Sequence, residues 1–316
     1  MAVNEPGMAV TELKFRVMAS DAHVILVDPA PGAEVYARRR LEELERRWSR
    51  FLPGSDVSRL NTSPEALMLV SSDTVALIGA MKEAWRVTGG RYDPTMLAAI
   101  VAAGYAASID GSGRTSRMAR LPRRGSTIAD VTVDPATVVV VVPAGVGIDP
   151  GGIGKGLGAD LVVTELLEAG TGGALVGIGG DLAVAGTPPT AAGWYVAVQD
   201  PLDPPRVLTS FALDAGGVAT SSTLSRTWFR DGHRRHHALD PLTHTCATTD
   251  LATVTVIARA GWEAEAHATA ALLCGSERAL DYLGMHGLEG VAMTLEGTTL
   301  TSPALRDAAV AERSVA

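Results

Sequence analysis

Apolar residues recur along this chain with two rhythms, one of three to four residues and one of two, and the switch between them marks the elements. Leu41, Leu44, Trp48 and Phe51 fall at three- and four-residue steps, which predicts a helix over residues 33–51. Glu42–Arg46 and Glu43–Arg47 pair at i,i+4 on its wet side. Leu77, Ile78, Met81 and Trp85 predict a second helix over 75–87, stopped by Gly89-Gly90, because glycine takes the left-handed conformation that closes a helix. Further helices are predicted at 157–169, 262–274 and 278–283. Runs rich in valine, isoleucine and leucine predict strands at 23–27, 131–133, 138–142, 174–178, 182–185, 194–198, 207–213, 253–258 and 291–295. Strands and helices interleave without a regular βαβ rhythm, so the expected class is α+β, not a doubly wound parallel sheet.

Composition narrows the picture. A chain of 316 residues with 47% hydrophobic and 20% charged residues can bury a large core, as one big domain or two packed ones. Acids outnumber bases by 35 to 27, for a net charge of −8, which argues against a general nucleic-acid or anionic-membrane binder. Cys246 and Cys274 form no disulfide framework and lack metal-ligand spacing. Residues 1–18 carry Glu5 and Glu12 and no basic-then-apolar run, and the longest apolar stretch, around 138–142, is broken by Pro143 and too short to span a bilayer. A cytoplasmic location without a transmembrane segment is therefore expected. Residues 108–127, with Arg114, Arg117, Arg120, Arg123 and Arg124 among Gly and Ser, are expected to form a surface insertion, and 303–316 a frayed tail.

Four places carry candidate chemistry. Residues 148–160 hold Gly151, Gly152, Gly154, Gly156 and Gly158 around Lys155, a turn whose backbone N–H groups could approach a phosphate before a helix opens. It matches neither common nucleotide fingerprint: Gly156 stands where a P-loop needs Ser or Thr, and the glycine spacing misses the dinucleotide pattern. A purely structural corner explains it equally. Gly179-Gly180-Asp181 places a carboxylate at a strand end, where most aspartates close a turn. His236-His237 precedes Asp240-Pro241, a setting for a general base or for a surface histidine pair. Glu265 and Thr269 share a helix face at i,i+4, either as hard oxygen ligands suited to magnesium or as a solvated face. His267 points elsewhere on that helix and receives no role.

In order, these stretches form a pattern. Met18-Ala19-Ser20, Ser49-Arg50-Phe51, Ser55-Asp56-Val57-Ser58-Arg59-Leu60-Asn61, Gly90-Arg91-Tyr92-Asp93-Pro94-Thr95 and Asp149 to Gly156 are followed by Gly179-Gly180-Asp181. Ala219-Thr220-Ser221-Ser222, His237 to Thr243 and Ala264-Glu265-Ala266-His267-Ala268-Thr269-Ala270 complete it. The chain thereby resembles the ApbE-like FAD:protein FMN transferases over residues 18 to about 275.

The resemblance implies an α+β fold related to the T-fold, one catalytic unit over 1–316 of two intimately packed lobes with an FAD cleft between them. It implies magnesium-dependent cleavage of FAD, transfer of FMN to a threonine of an acceptor flavoprotein, and release of AMP. Carried over by motif position, Met18, Phe51, Arg91, Tyr92, Asp93, Gly151, Leu157 and Leu239 would line the FAD. The Gly154 carbonyl, Glu265 and Thr269 would hold the metal, and His237 would activate the accepting threonine. This sequence departs from the family pattern at Glu265, where the family has Asp, at His244, where it has Gly, and at Ala103-Gly104-Tyr105, where it has Trp-Gly-Phe. The alternative from another class is a protein that binds FAD, or hydrolyses its pyrophosphate, without transferring flavin.

Overall fold

A long antiparallel sheet is built in the order in which the chain supplies its strands: β1 Val10–Val17, β2 Ser20–Val27, β3 Gly173–Ile178, β4 Asp181–Gly186, β5 Gly216–Ser222, β6 Leu251–Ala258, β7 Glu289–Thr294 and β8 Thr299–Thr301. Each strand pairs antiparallel with the one before it. The helices are α1 Ala33–Trp48, α2 Asp56–Thr62, α3 Ser72–Val87, α4 Leu97–Ala102, α5 Gly154–Glu168, α6 Gly261–Cys274 and α7 Ala279–Met285. This computed structural model describes residues 7–118 and 126–306, so Arg120, Arg123, Arg124 and residues 307–316 lie outside the described residues. The class is α+β, as the interleaving predicts. Among the described residues no helix is long and apolar enough to cross a membrane.

The chain divides into two units. The first holds the described residues of Met1–Arg40, Lys155–Leu224 and Thr249–Ala316, and contains the long sheet. Both faces of that sheet are covered. On one face Leu175, Val184 and Val218 pack with Leu182 and Ile257 against a hairpin, Trp194–Gln199 with Val207–Leu213, whose Trp194, Val196 and Phe211 are buried. On the other face Ala219 and Ala258 meet Ala264 of α6. Each fully buried Val, Leu or Ile contributes about 1.5–3 kcal/mol by leaving water. Ser302 and Leu305 are buried in this unit, so at least 302–306 is packed.

The second unit holds Leu41–Gly154 and Ser225–Thr248. It carries α2, α3 and α4, a small sheet of Met68–Leu69, Thr132–Asp134 and Val139–Val141, and two hairpins, Thr227–Arg230 with His233–His236 and Leu239–Asp240 with Thr245–Cys246.

Three differences from the sequence reading have local causes. The first helix ends at Trp48, not Phe51, because the Ser49 carbonyl accepts hydrogen bonds from the Ser55 and Ser58 hydroxyls, folding the loop back. Residues 56–62 then form α2, opened by Ser55, whose side chain accepts from the Ser58 N–H at 3.0 Å. Strands β1 and β5 were not expected. In β1 the alternation is carried by charged Glu12, Lys14 and Arg16 on the wet side, and β5 is rich in Gly, Ser and Thr.

Candidate functional site

Three chain segments of the first unit bring a cation between two carboxylates. Lys155 lies in the first turn of α5, Asp181 opens β4 after the Gly179-Gly180 turn, and Glu265 lies one turn into α6. The Lys155 ammonium contacts Glu265 Oε1 at 2.9 Å and also bonds Asp181 Oδ2. Gly156 N–H donates to Glu265 Oε2 at 2.8 Å, and Thr220 N–H donates to Asp181 Oδ1 at 3.1 Å. Asp181 is 1% and Glu265 4% exposed, so both charges depend on these partners. Thr269 Oγ1 lies 3.0 Å from Ser221 Oγ and donates to the Glu265 carbonyl at 3.2 Å.

Glycine sets the spacing. A Cβ at Gly156 would lie 2.3 Å from the Gly261 carbonyl oxygen, and one at Gly217 of β5 would lie 2.3 Å from Gly261 N. The backbones of α5, α6 and β5 therefore meet at a distance only glycine permits. Asp160, one turn along α5, accepts from the N–H groups of Gly261 and Trp262 at 2.7 and 2.9 Å and so caps α6. Burial pushes the Asp160 carboxyl up to about 6, against the pull of these two N–H donors. His267, on the same helix, is held by the Tyr282 hydroxyl at 2.8 Å, and burial lowers it to about 4, with His286 adding to the shift. It is a buried histidine of the core.

The second unit holds an aromatic cluster. Phe51, Tyr105 and Trp228 follow one another with ring centroids 6.0 and 5.5 Å apart. The Arg50 guanidinium, 5% exposed, sits 4.3 Å from the Phe51 centroid and 4.9 Å from that of Tyr105, and meets Asp149 Oδ2 at 3.3 Å. Asp149 in turn accepts from Gly151 N–H at 3.0 Å, which shapes the glycine turn. Asn61 clamps the same turn, donating to the Ile148 carbonyl at 2.8 Å and accepting from Ile148 N–H at 2.7 Å. Asp93 closes an Asx turn on Thr95, Tyr92 is buried, and Leu239 is buried with Met96, Leu97 and Ile100. His237 Nδ1 lies 3.3 Å from the Ser225 carbonyl, and since a carbonyl only accepts, Nδ1 is the donor in this bond. Its neighbour His236 is half-buried, and burial lowers its pKa.

Of the residues singled out from sequence, Met18, Leu157, Glu265 and Thr269 fall in the first unit, and Glu265 and Thr269 stand together. Phe51, Arg91, Tyr92, Asp93, Gly151, Gly154, His237 and Leu239 fall in the second. Met18 sits in the β1–β2 turn at φ +52°. Sequence reasoning picks out Asp181 as a strand-end carboxylate but gives no role to Arg50, Lys155, Ser221, Tyr105 or Trp228. The signal for Arg50 and Lys155 was their place inside two of the recognised motifs. Glu265, Asp181, Thr269 and Ser221 offer hard oxygens and no nitrogen or sulfur, a donor chemistry that fits magnesium. Among the described residues, however, no group of three His, Cys, Asp or Glu side chains is gathered around one point.

The ApbE family model matches residues 13–292. An FAD:protein FMN transferase of Escherichia coli K12 is 30% identical over 171 residues, 53% of this chain and 49% of the relative, so the match spans about half of that protein's length. A Treponema pallidum protein of the same name is 28% identical over 284 residues, 83% of this chain and 78% of the relative. The crystal structure of an ApbE protein from Thermotoga maritima superposes with a TM-score of 0.81 at 24% identity, covering 94% of this chain and 98% of that one.

Proposed function

The chain belongs to the ApbE family, and from that premise we propose that it is an FAD:protein FMN transferase that cleaves FAD with magnesium, attaches FMN to a threonine of an acceptor flavoprotein and releases AMP. The observation that carries the reading is the set of hard-oxygen side chains, Asp181, Ser221, Glu265 and Thr269, gathered beside the first turn of α5. Magnesium held by Glu265, Thr269 and the Gly154 carbonyl would neutralise the pyrophosphate of FAD, whose charge otherwise repels an incoming hydroxyl.

The other parts follow from this chain's own residues. Phe51, Arg91, Tyr92, Asp93, Gly151 and Leu239, with Met18 and Leu157, line the FAD in this reading, and the Arg50-backed aromatic cluster supplies ring contacts for a planar flavin or adenine. His237, oriented by its Nδ1 contact with the Ser225 carbonyl, takes the threonine proton in this reading. The positive N-terminal end of α5 faces the phosphate in this reading. Phosphoryl-type transfer asks for little beyond such positioning.

A paired measurement tests it. His237→Ala should lower FMN transfer by roughly 10²–10⁴-fold while leaving FAD affinity within a few-fold, the loss expected for one general base. Chelation of magnesium should stop AMP release in the wild type, and added magnesium should restore it. AMP release undiminished in excess EDTA, or FAD binding lost together with His237, would contradict the assignment.

A further inference from the structure

Lys155 is the unexplained member of the cluster. Two carboxylates buried to 1% and 4% exposure within reach of one ammonium form an ion triad, whose desolvation is repaid only by close contacts and further hydrogen bonds. Each carboxylate keeps one oxygen on a backbone N–H, Glu265 Oε2 on Gly156 and Asp181 Oδ1 on Thr220, and turns the other to Lys155. The ammonium thus occupies the oxygens a hard cation would seek. A lysine suits a post that must be vacated: it is a compact charge on a flexible stem, and the Lys155 side chain is 16% exposed, so solvent is within its reach. An arginine would be locked by its planar fork.

We propose that Lys155 is the resident counter-cation of the Asp181–Glu265 pair, and that a divalent metal ion binding here displaces its ammonium. This inference rests on the metal-dependent reading above. It makes lysine a built-in competitor: the carboxylates stay paired without metal, monovalent ions carry too little charge to evict the ammonium, and divalent affinity is held below what the bare oxygens would give. Lys155 is on this account a positioning residue that keeps Glu265 oriented, and its displacement precedes use of the site.

The test needs neither FAD nor turnover. Mn²⁺ binding is titrated by electron paramagnetic resonance in wild type and Lys155→Met, and Lys155 acylation by acetic anhydride is read by peptide mass spectrometry with and without Mn²⁺. The expected result is at least tenfold tighter Mn²⁺ binding in Lys155→Met, and Lys155 slow to acylate without metal but several-fold faster with it. Should Lys155→Met fail to fold with two unbalanced carboxylates, Lys155→Met/Asp181→Asn is compared with Asp181→Asn, and the removal of lysine should again tighten Mn²⁺. Equal or weaker Mn²⁺ binding without the lysine, with acylation indifferent to metal, would overturn the proposal. Metal-dependent FMN transfer to an acceptor flavoprotein, measured on the same wild-type preparation, would then show that the transferase reading survives, and its absence that both fall.

Discussion

Ala19 holds φ +54° in the two-residue turn between β1 and β2, beside Met18 at +52°, a conformation that favours glycine at both positions. A Cβ in the left-handed region costs about 1 kcal/mol. Ala19→Gly should therefore stabilise the protein by about 0.5–1 kcal/mol in calorimetric or denaturant unfolding; unchanged or lower stability would show that the turn is not strained. His267 gives a pH-dependent counterpart. Folded, its imidazole takes a proton only near pH 4, whereas the unfolded imidazole takes one near ~6.5. The unfolded chain thus binds more protons between these values, and stability falls as pH drops through that window while staying flat above it. Asp160, raised to about 6, acts in the opposite sense over part of the same range, so the informative quantity is a difference. Denaturant midpoints from pH 7 to 4.5 should fall more steeply in wild type than in His267→Gln; parallel curves would contradict the burial argument. Residues of this kind were poorly legible beforehand. The spacing of Glu265 and Thr269 is local and was read, but the bridge from Lys155 to residues 26 and 110 positions away depends on the fold.

At the scale of elements, helices with a clear apolar stripe were legible, α3 above all, because one burial face writes a three-to-four-residue rhythm. Strand β5 was not, since its inner positions are Gly217 and Ala219, small because α6 lies against them. The same crowding makes a prediction. Gly156→Ala would drive a methyl into the backbone of Gly261 and should cost about 1–3 kcal/mol or more, the range for overpacking. Gly79, exposed within α3 with no atom within 4 Å of a Cβ, is the contrast: Gly79→Ala should stabilise by about 0.5–1 kcal/mol through helix propensity. Thermal unfolding of the two variants should move in opposite directions. A neutral Gly156→Ala would mean that α5 and α6 separate easily.

At the scale of the whole molecule, the ordered motifs carried what periodicity could not. Periodicity predicts no element over Ser55–Asn61, yet residues 56–61 lie in α2, whose Asp56 accepts from Ser71 and Thr74 at the start of α3 and whose Asn61 clamps the Ile148 backbone. Much of that motif is thus scaffold for the glycine turn, a role invisible without the fold. The family match over residues 13–292 includes residues of both units. The most direct test of the proposed chemistry is intact-mass spectrometry of a threonine-bearing acceptor flavoprotein incubated with this protein, FAD and magnesium. The account predicts an acceptor heavier by one FMN, with AMP released in equal amount and neither product formed in EDTA; AMP and free FMN with an acceptor of unchanged mass would contradict it, and would mark the protein as an FAD pyrophosphatase.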